Sequence, residues 1–268
     1  MKISILNQNN QEKSKKELPK QFNEEIRPDL ILRAVLSIQS NKRQKYGADP
    51  EAGKRPSAKL SRRRRDYKGS YGIGISRVPR KIISRRGTRM NWVGAFAPGT
   101  VGGRRAHPPK AEKKWSQKIN RQERRKAIRS ALSAAMNKQL AEKRGHEVPE
   151  KYPFIIDNYF ENIQKTKDLK AALMTLGFEK ELERSEEKKV RAGRGKSRGR
   201  KYKRKKGILF VVSKECNLLK SAKNLPGSDV IEVKNINAEL LAPGGVPGRL
   251  TLFTEAAIDA MSKENLFY

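Results

Sequence analysis

Residue types that support enzymatic, secreted or membrane-bound functions are scarce in this sequence. It contains one cysteine, Cys216, which excludes an internal disulfide framework, and no cysteine–histidine spacing fits a zinc site. Its two histidines, His107 and His146, are not set among residues whose spacing suggests a catalytic group. No apolar stretch approaches the roughly 18 residues of a membrane-spanning helix, and Met1–Leu6 turns polar too early for a signal peptide. These absences predict a soluble, intracellular protein without a disulfide, a metal or a cofactor.

Acidic residues are also few in relation to basic ones. The 268 residues include 62 Lys and Arg against 28 Asp and Glu, a formal net charge of +34. The hydrophobic fraction of 35% lies below the usual range, so we expect one ordinary core with non-globular extensions. Self-repulsion at this charge destabilises a compact free monomer. The composition therefore predicts a permanent polyanionic partner, bound largely through the release of counterions from phosphates.

Half of the excess charge lies in one long segment, Lys42–Lys110. It holds 20 Lys and Arg against three Asp and Glu and shows almost no hydrophobic periodicity. Such a segment buries too little apolar surface to offset its own ordering entropy, so we expect it to fold only against RNA. For Trp92, Phe96 and Trp115, ordinary packing and stacking on unpaired bases both remain open.

A second basic run, Arg191–Lys206, contains ten Lys and Arg and no acidic residue. Gly193, Gly195 and Gly199 are interspersed, which lets the backbone approach phosphates closely. The glycines precede an apolar run, whereas a dinucleotide-binding fingerprint must follow a strand and open a helix. The run therefore favours phosphate binding and argues against a nucleotide cofactor.

The remaining sequence has the periodicity of an α/β layered domain with a mainly parallel sheet. Helices are predicted from Arg27–Pro28 to about Gly47, from a cap at Asn120 to Gly145, over Leu169–Leu176, and after a cap at Thr254. Predicted strands are Met1–Leu6, Phe154–Ile156, Ile208–Val212, Val230–Val233 and Leu250–Phe253. We thus expect a core made of residues 1–44 and 116–268, interrupted by an extended basic internal loop at 45–115 and by a second basic loop at 191–206.

Several ordered motifs occur along nearly the whole chain. They are Arg27–Ile31, Tyr46–Asp49, Gly103–Lys110, Arg129–Ala134, Arg144–His146, Arg191–Arg200 and Leu241–Thr251. On these motifs the chain resembles the archaeal/eukaryotic branch of the large-subunit ribosomal protein family numbered four.

The resemblance implies a non-enzymatic structural protein of the large ribosomal subunit, located on the cytoplasmic ribosome. The implied partners are large-subunit ribosomal RNA, neighbouring large-subunit proteins and, at the loop tip, the nascent polypeptide in its exit tunnel; no membrane is implied. The internal loop would thread into the RNA, with its tip within Ser76–Phe96 at the tunnel constriction. Gly72-Ile73-Gly74 is not followed directly by the arginine that family members commonly carry. The resemblance therefore does not identify which side chains line the tunnel.

Two sets of site residues follow from the charge runs and the resemblance together. The predicted rRNA-binding residues are Arg62, Arg63, Arg64, Arg65, Lys68, Arg77, Arg80, Arg85, Arg86, Arg104, Arg105, His107, Lys110, Arg121, Arg125, Arg191, Arg194, Lys196, Arg198, Arg200, Lys201 and Arg249. The predicted tunnel-tip residues are Arg77, Val78, Pro79, Arg80, Gly94 and Phe96.

Two other functions are compatible with a basic α/β chain: an RNA-modifying enzyme and a free RNA-binding regulator. Asp157, after a predicted strand, is where a methyltransferase-like domain would hold its cofactor. The matching glycine loop is absent, however, so a turn or capping role is favoured for Asp157. A bound cofactor, or an acidic cluster open to solvent at the strand ends, would favour the enzyme.

Overall fold

The computed structural model describes residues 1–268, and the chain divides into two units. The core unit comprises Met1–Lys42 and Ser116–Tyr268, and the basic unit comprises Arg43–Trp115. None of the helices combines the length and the apolar character that crossing a bilayer requires.

Ten strands and eight α-helices form. The strands are β1 (Lys2–Leu6), β2 (Glu12–Glu17), β3 (Arg80–Arg86), β4 (Arg89–Gly94), β5 (Ile155–Ile156), β6 (Lys188–Val190), β7 (Tyr202–Arg204), β8 (Leu209–Val212), β9 (Asp229–Glu232) and β10 (Thr251–Thr254). The helices are α1 (Pro28–Lys42), α2 (Arg121–Ala135), α3 (Lys138–Lys143), α4 (Thr166–Thr175), α5 (Glu179–Glu186), α6 (Leu218–Ser221), α7 (Ala238–Leu241) and α8 (Glu255–Lys263).

The core unit is built on a six-stranded sheet in the order β2-β1-β5-β10-β8-β9. Neighbours from β1 to β9 pair in parallel, and only the edge strand β2 runs antiparallel. Every residue of β8 and β10 is buried, as is typical of the central strands of a parallel sheet, and this accounts for the uninterrupted apolar run of β8. The predicted α/β fold with a mainly parallel sheet is confirmed.

The two longest helices bury the faces that periodicity predicts. Helix α1 buries Ile31, Ala34 and Val35, and α2 buries an alanine-rich stripe that includes Ile128 and Leu132. Helix α1 ends at Lys42 rather than near Gly47, since no apolar residue continues its stripe after Ile38. The apolar faces of both helices belong to the same hydrophobic core as the sheet.

Helix capping follows the sequence at one end of the chain and departs from it in the middle. The hydroxyl of Thr254 accepts a hydrogen bond from the Ala257 amide at 3.2 Å, which confirms the predicted cap of α8. The predicted helix from Asn120 to Gly145 is instead two helices, and the cap lies at the start of α3, where Asn137 Oδ1 accepts from the Leu140 amide. The Asn120 side chain makes no capping bond. Asn120 is nevertheless the N-cap residue of α2, so the predicted start of this helix is confirmed and only the side-chain capping bond is absent.

Each basic segment contains a β-hairpin that the sequence analysis did not predict. In the basic unit, β3 pairs with β4, and Arg86 lies opposite Arg89 across the turn at Gly87 and Thr88. In the core unit, β6 pairs with β7, and these strands enclose residues 191–201, the first part of the second basic loop. Both hairpins were missed because lysine and arginine occupy positions where a half-buried strand would show alternating apolar residues.

Candidate nucleic-acid interface

The four consecutive arginines Arg62–Arg65 lie exposed in a locally braced turn of the basic unit. The Ser61 hydroxyl donates to Asp66 Oδ2 at 2.6 Å, and Asp66 Oδ1 accepts from the Tyr67 amide at 2.8 Å. The bond from Ser61 and then that from the Tyr67 amide hold the pKa of Asp66 below its usual value. None of the four arginines forms an ion pair, so the turn presents four free guanidinium groups to solvent.

Aromatic rings in the basic unit are partly covered by the unit's own cations. The pairs, with the distance from the charged group to the ring centroid, are Arg77 on Tyr71 (5.0 Å), Arg80 on Trp92 (5.5 Å), Arg85 on Tyr67 (5.6 Å) and Arg104 on Phe96 (5.7 Å). Trp115 stacks on Tyr46 at 5.4 Å, with the Arg43 guanidinium 4.0 Å from its ring. Each of these contacts fixes an arginine without using up its charge.

Arg80 differs from the other predicted contacts of this unit because its guanidinium points into the loop. It is only 8% exposed and donates to the main-chain oxygens of Ser76 (2.6 Å) and Val78 (3.2 Å) and to the Ser76 hydroxyl (3.0 Å). The side chain therefore holds the turn that precedes β3. A direct RNA or tunnel contact by Arg80 is not supported by this placement.

The residues predicted for the loop tip lie at the open end of the β3–β4 hairpin. Arg80 is paired with Gly94 there, and the Ala95 amide donates to the Pro79 carbonyl at 2.8 Å. The apex is the turn at Gly87 and Thr88, within the predicted span Ser76–Phe96 but away from the named tip residues. Gly87 has a φ of +58°, a conformation that favours glycine in a two-residue hairpin turn. This glycine was the one feature of the sequence that could have indicated the apex.

The Gly103–Lys110 motif follows a tight turn that only glycine allows. A Cβ on Gly103 would lie 2.0 Å from the Ala97 carbonyl oxygen, so any side chain here displaces backbone. The turn leads into Arg105, His107 and Lys110, which are exposed, whereas Arg104 is half-buried. These four predicted contacts thus lie along one surface segment of the basic unit.

The second basic loop is closed by its first arginine and displays the others. The Arg191 amide donates to the Lys201 carbonyl at 2.8 Å, and its guanidinium donates to the carbonyls of Arg200 and Tyr202. The side chains that remain exposed and form no ion pair are Arg194, Lys196, Arg198, Arg200 and Lys201. Arg191 therefore positions the loop, and the other five are available to a ligand.

The cations of α2 are divided between surface and internal contacts. Arg121 is exposed, whereas Arg125 donates to the main-chain oxygen of Tyr268. Arg129 pairs with Glu24 at 2.7 Å and also donates to the Phe267 carbonyl. The shared face of these arginines is thus largely used to hold residues near the end of the chain.

Arg249 is the predicted contact that the structure excludes. It is 0% exposed, and its guanidinium donates to the Gly207 carbonyl (3.0 Å), the Leu240 carbonyl (3.0 Å) and Asp229 Oδ2 (2.6 Å). Burial lowers the pKa of Arg249, and the Asp229 carboxylate opposes that change. Arg249 has no surface with which to contact RNA and is removed from the predicted set.

The most buried titratable cluster of the core unit is satisfied internally. His146 Nδ1 lies 2.7 Å from Glu181 Oε1, and Arg184 binds both Glu181 oxygens at 2.7 Å. The Glu147 amide donates to Glu181 Oε2 at 3.0 Å, so the carboxylate has no free lone pair facing a substrate.

Asp157 caps a short helical turn by accepting from the Asn158 amide at 2.9 Å, as favoured from the sequence. These groups stabilise the fold.

The cluster of His146, Glu181 and Arg184 predicts a pH dependence of the free energy of unfolding. Burial alone would raise the pKa of Glu181, but hydrogen bonds from Arg184 and His146 outweigh it and lower the pKa below its usual value. A lowered folded-state pKa gives stability that is present above the unfolded-state pKa and is lost as pH falls through the folded value. We expect the free energy of unfolding to fall less steeply below about pH 4.5 in Glu181→Gln than in the unsubstituted protein. Denaturant titrations between pH 7 and pH 3 measure this, with exposed Glu179→Gln as control; equal slopes for Glu181→Gln and the unsubstituted protein would contradict it.

Comparison with known proteins places the chain among relatives of one kind. A family model described as the ribosomal protein L4/L1 family matches residues 16–264. The chain is 51% identical over 253 residues to the large ribosomal subunit protein uL4 of Nanoarchaeum equitans, covering 94% of each chain. It is 43% identical over 267 residues to the protein of that name from Archaeoglobus fulgidus, covering 98% of this chain and 99% of the relative. The similarity therefore includes both basic segments.

Proposed function

The chain belongs to the ribosomal protein L4/L1 family, and we propose from this membership that it binds and organises the RNA of the large ribosomal subunit. Members of the family are structural, non-enzymatic components of the ribosome. The chain is accordingly a constituent of the large subunit in the cytoplasmic ribosome, and the RNA-modifying enzyme considered from the sequence is set aside. RNA and neighbouring large-subunit proteins are its proposed partners.

The observation that supports RNA binding best is the set of exposed cations without ion-pair partners in both basic segments. Arg62–Arg65 and the loop Arg194–Lys201 together present guanidinium and ammonium groups on short turns. Turns of this kind follow a phosphodiester backbone more closely than a flat helix face does, and arginine binds phosphate through two parallel hydrogen bonds. The proposed mechanism is neutralisation of RNA segments that would otherwise repel one another.

The basic unit suits a role that depends on shape as well as charge. Its arginines lie against tyrosine, tryptophan and phenylalanine rings, which limits their rotamers before any ligand binds. A cation that is already ordered loses less entropy when it binds a phosphate. We propose that this unit inserts between RNA segments and that the β3–β4 hairpin reaches the nascent-peptide exit tunnel.

The charge of the second basic loop has a measurable consequence. Replacing Arg194, Lys196, Arg198 and Arg200 with Gln should reduce the magnitude of the slope of log affinity against log salt by about 0.7–0.9 for each phosphate that the loop no longer neutralises. Filter binding to large-subunit rRNA between low and moderate salt gives this slope. The matched control removes four exposed, unpaired lysines elsewhere in the core unit: Lys167, Lys170, Lys180 and Lys223. If both quadruple variants change the slope equally, the loop makes no specific phosphate contact.

A further inference from the structure

A groove in the core unit is lined by cations that are not among the individually predicted RNA-binding residues, although four of them, Lys203–Lys206, belong to the second basic run. It lies among the end of α3, the β6–β7 hairpin and the turn Pro243–Val246, and its volume is about 830 Å³. Eight Lys and Arg side chains line it, and Glu187 supplies the only carboxylate among the lining residues. We refer to this feature as the basic groove.

The carboxylates in and near the basic groove are already paired. Glu187 binds Lys205 at 2.5 Å, Glu181 binds Arg184 at 2.7 Å, and Asp229 Oδ2 accepts from both Lys206 (3.0 Å) and Arg249 (2.6 Å). The lining cations that have no ion pair are Lys143, Arg144, Lys189, Lys203 and Arg204. The groove thus holds five cations that form no ion pair, although the Glu187 carboxylate still interacts electrostatically with Lys189.

Arg144 is the least exposed of these five cations, and its position is fixed. Its guanidinium donates to the carbonyls of Pro243, at 2.5 Å, and Val246, both of which are uncharged acceptors. Burial, together with the positive charges of Arg249 and Arg184, lowers the pKa of Arg144. A half-buried cation among like charges is unfavourable without an anion, and an anion bound beside it would relieve that cost.

The hairpin that forms one wall of the groove shows the same imbalance. Lys189 lies directly opposite Lys203, and Lys188 lies opposite Arg204, in the antiparallel register of β6 and β7. Like charges directly opposite each other on neighbouring strands are destabilising, and an isolated two-stranded hairpin is marginal by itself. An anion between Lys189 and Lys203 would remove their repulsion and stabilise this pairing.

We propose that the basic groove is a further site for the phosphodiester backbone of RNA, contacted by Arg144, Lys189 and Lys203 and separate from the segment bound by the loop Arg194–Arg200. This inference rests on the proposed function. An RNA strand is favoured because it supplies several phosphates in succession, which matches cations distributed along two strands and a helix end. Apolar lining is limited to Pro243 and Val246, so the groove offers little to a hydrophobic peptide.

The test compares hydroxyl-radical footprints of the full-length protein on deproteinised large-subunit rRNA. The groove variant is Lys189→Gln/Lys203→Gln, the loop variant carries the four substitutions at Arg194–Arg200, and exposed Lys167→Gln/Lys170→Gln is the charge-matched control. The groove variant should lose a set of protected nucleotides different from the set that the loop variant loses. It should also reduce the salt slope by about 1.4–1.8, since two phosphates are no longer neutralised.

Two further measurements separate this site from a folding defect. The groove variant removes a repulsion, so the unfolding temperature of the free protein should not fall, whereas a purely structural role would lower it. Arg144→Gln, if it folds, should lose the same nucleotides as the groove variant. A footprint identical to that of the control, or a loss confined to the loop's nucleotides, would overturn the proposal. An intact footprint with impaired incorporation into subunits would also overturn it, in favour of an acidic protein segment. No protection by the unsubstituted protein would instead refute the proposed function itself.

Discussion

Replacing Arg249 with leucine is expected to destabilise the core unit by about 3–5 kcal/mol, the usual cost of removing one partner of a buried ion pair. The guanidinium is 0% exposed and joins three parts of the fold: the Gly207 carbonyl before β8, the Leu240 carbonyl in α7 and Asp229 in β9. Leucine leaves all three acceptors without this donor. Equilibrium unfolding in denaturant, followed by a signal from the core unit, measures the loss.

Two controls identify the cause of that loss. Lys206→Gln removes the more exposed partner of Asp229 and should cost less than about 1 kcal/mol, as surface pairs do. Arg249→Leu/Asp229→Asn should recover part of the loss, because it removes a carboxylate that has lost its buried partner and keeps only Lys206. A cost below about 1 kcal/mol for Arg249→Leu would contradict the structural role assigned to Arg249.

Shortening the β3–β4 hairpin is expected to widen the exit tunnel and to abolish or strongly reduce stalling of nascent chains that depend on its constriction. In the apex variant, two glycines replace Ile82–Asn91, which keeps the pairing of Arg80 with Gly94. The protein should still join large subunits, because most exposed cations lie outside the deletion. Cryo-electron microscopy of mutant subunits, with a stalling-peptide assay, gives both readouts.

A matched base variant decides which part of the hairpin reaches the tunnel. It carries Arg77→Ala, Pro79→Ala and Phe96→Ala and leaves the apex turn at Gly87 and Thr88 intact. If the apex reaches the tunnel, only the apex variant changes tunnel width and stalling. A change in the base variant alone would place the tip at the residues predicted from the sequence. An unchanged tunnel in both variants would mean that the hairpin does not reach it.

The parallel sheet was predictable because its strands and helices differ in apolar period. The uninterrupted apolar run in β8 indicates a strand that is buried on both faces. The stripe Ile31, Ala34 and Val35 indicates a helix that buries one face. Thr254 was predictable as a cap because the residues that follow it have helical periodicity. The family came from motifs spread over nearly the whole chain, and family membership supplies the function that the fold alone would not reveal.

The partners of individual cations were not predictable, because sequence shows a charge but not what it faces. Arg249 and Arg198 both lie in glycine-rich motifs, yet the first is fully buried and the second is exposed. Arg80 is turned inward by the carbonyls of Ser76 and Val78 and by the Ser76 hydroxyl, and nothing in the sequence marks these groups as its acceptors. The basic groove draws on segments around Arg144, Lys189 and Pro243, and only the fold brings these together.

Cross-linking of the intact large subunit by ultraviolet light, followed by mass spectrometry of peptide–nucleotide adducts, tests the central claim most directly. RNA binding through the two basic segments predicts adducts on peptides that contain Arg62–Arg65, Arg105–Lys110 and Arg194–Lys201. Adducts confined to peptides outside these segments would contradict the account.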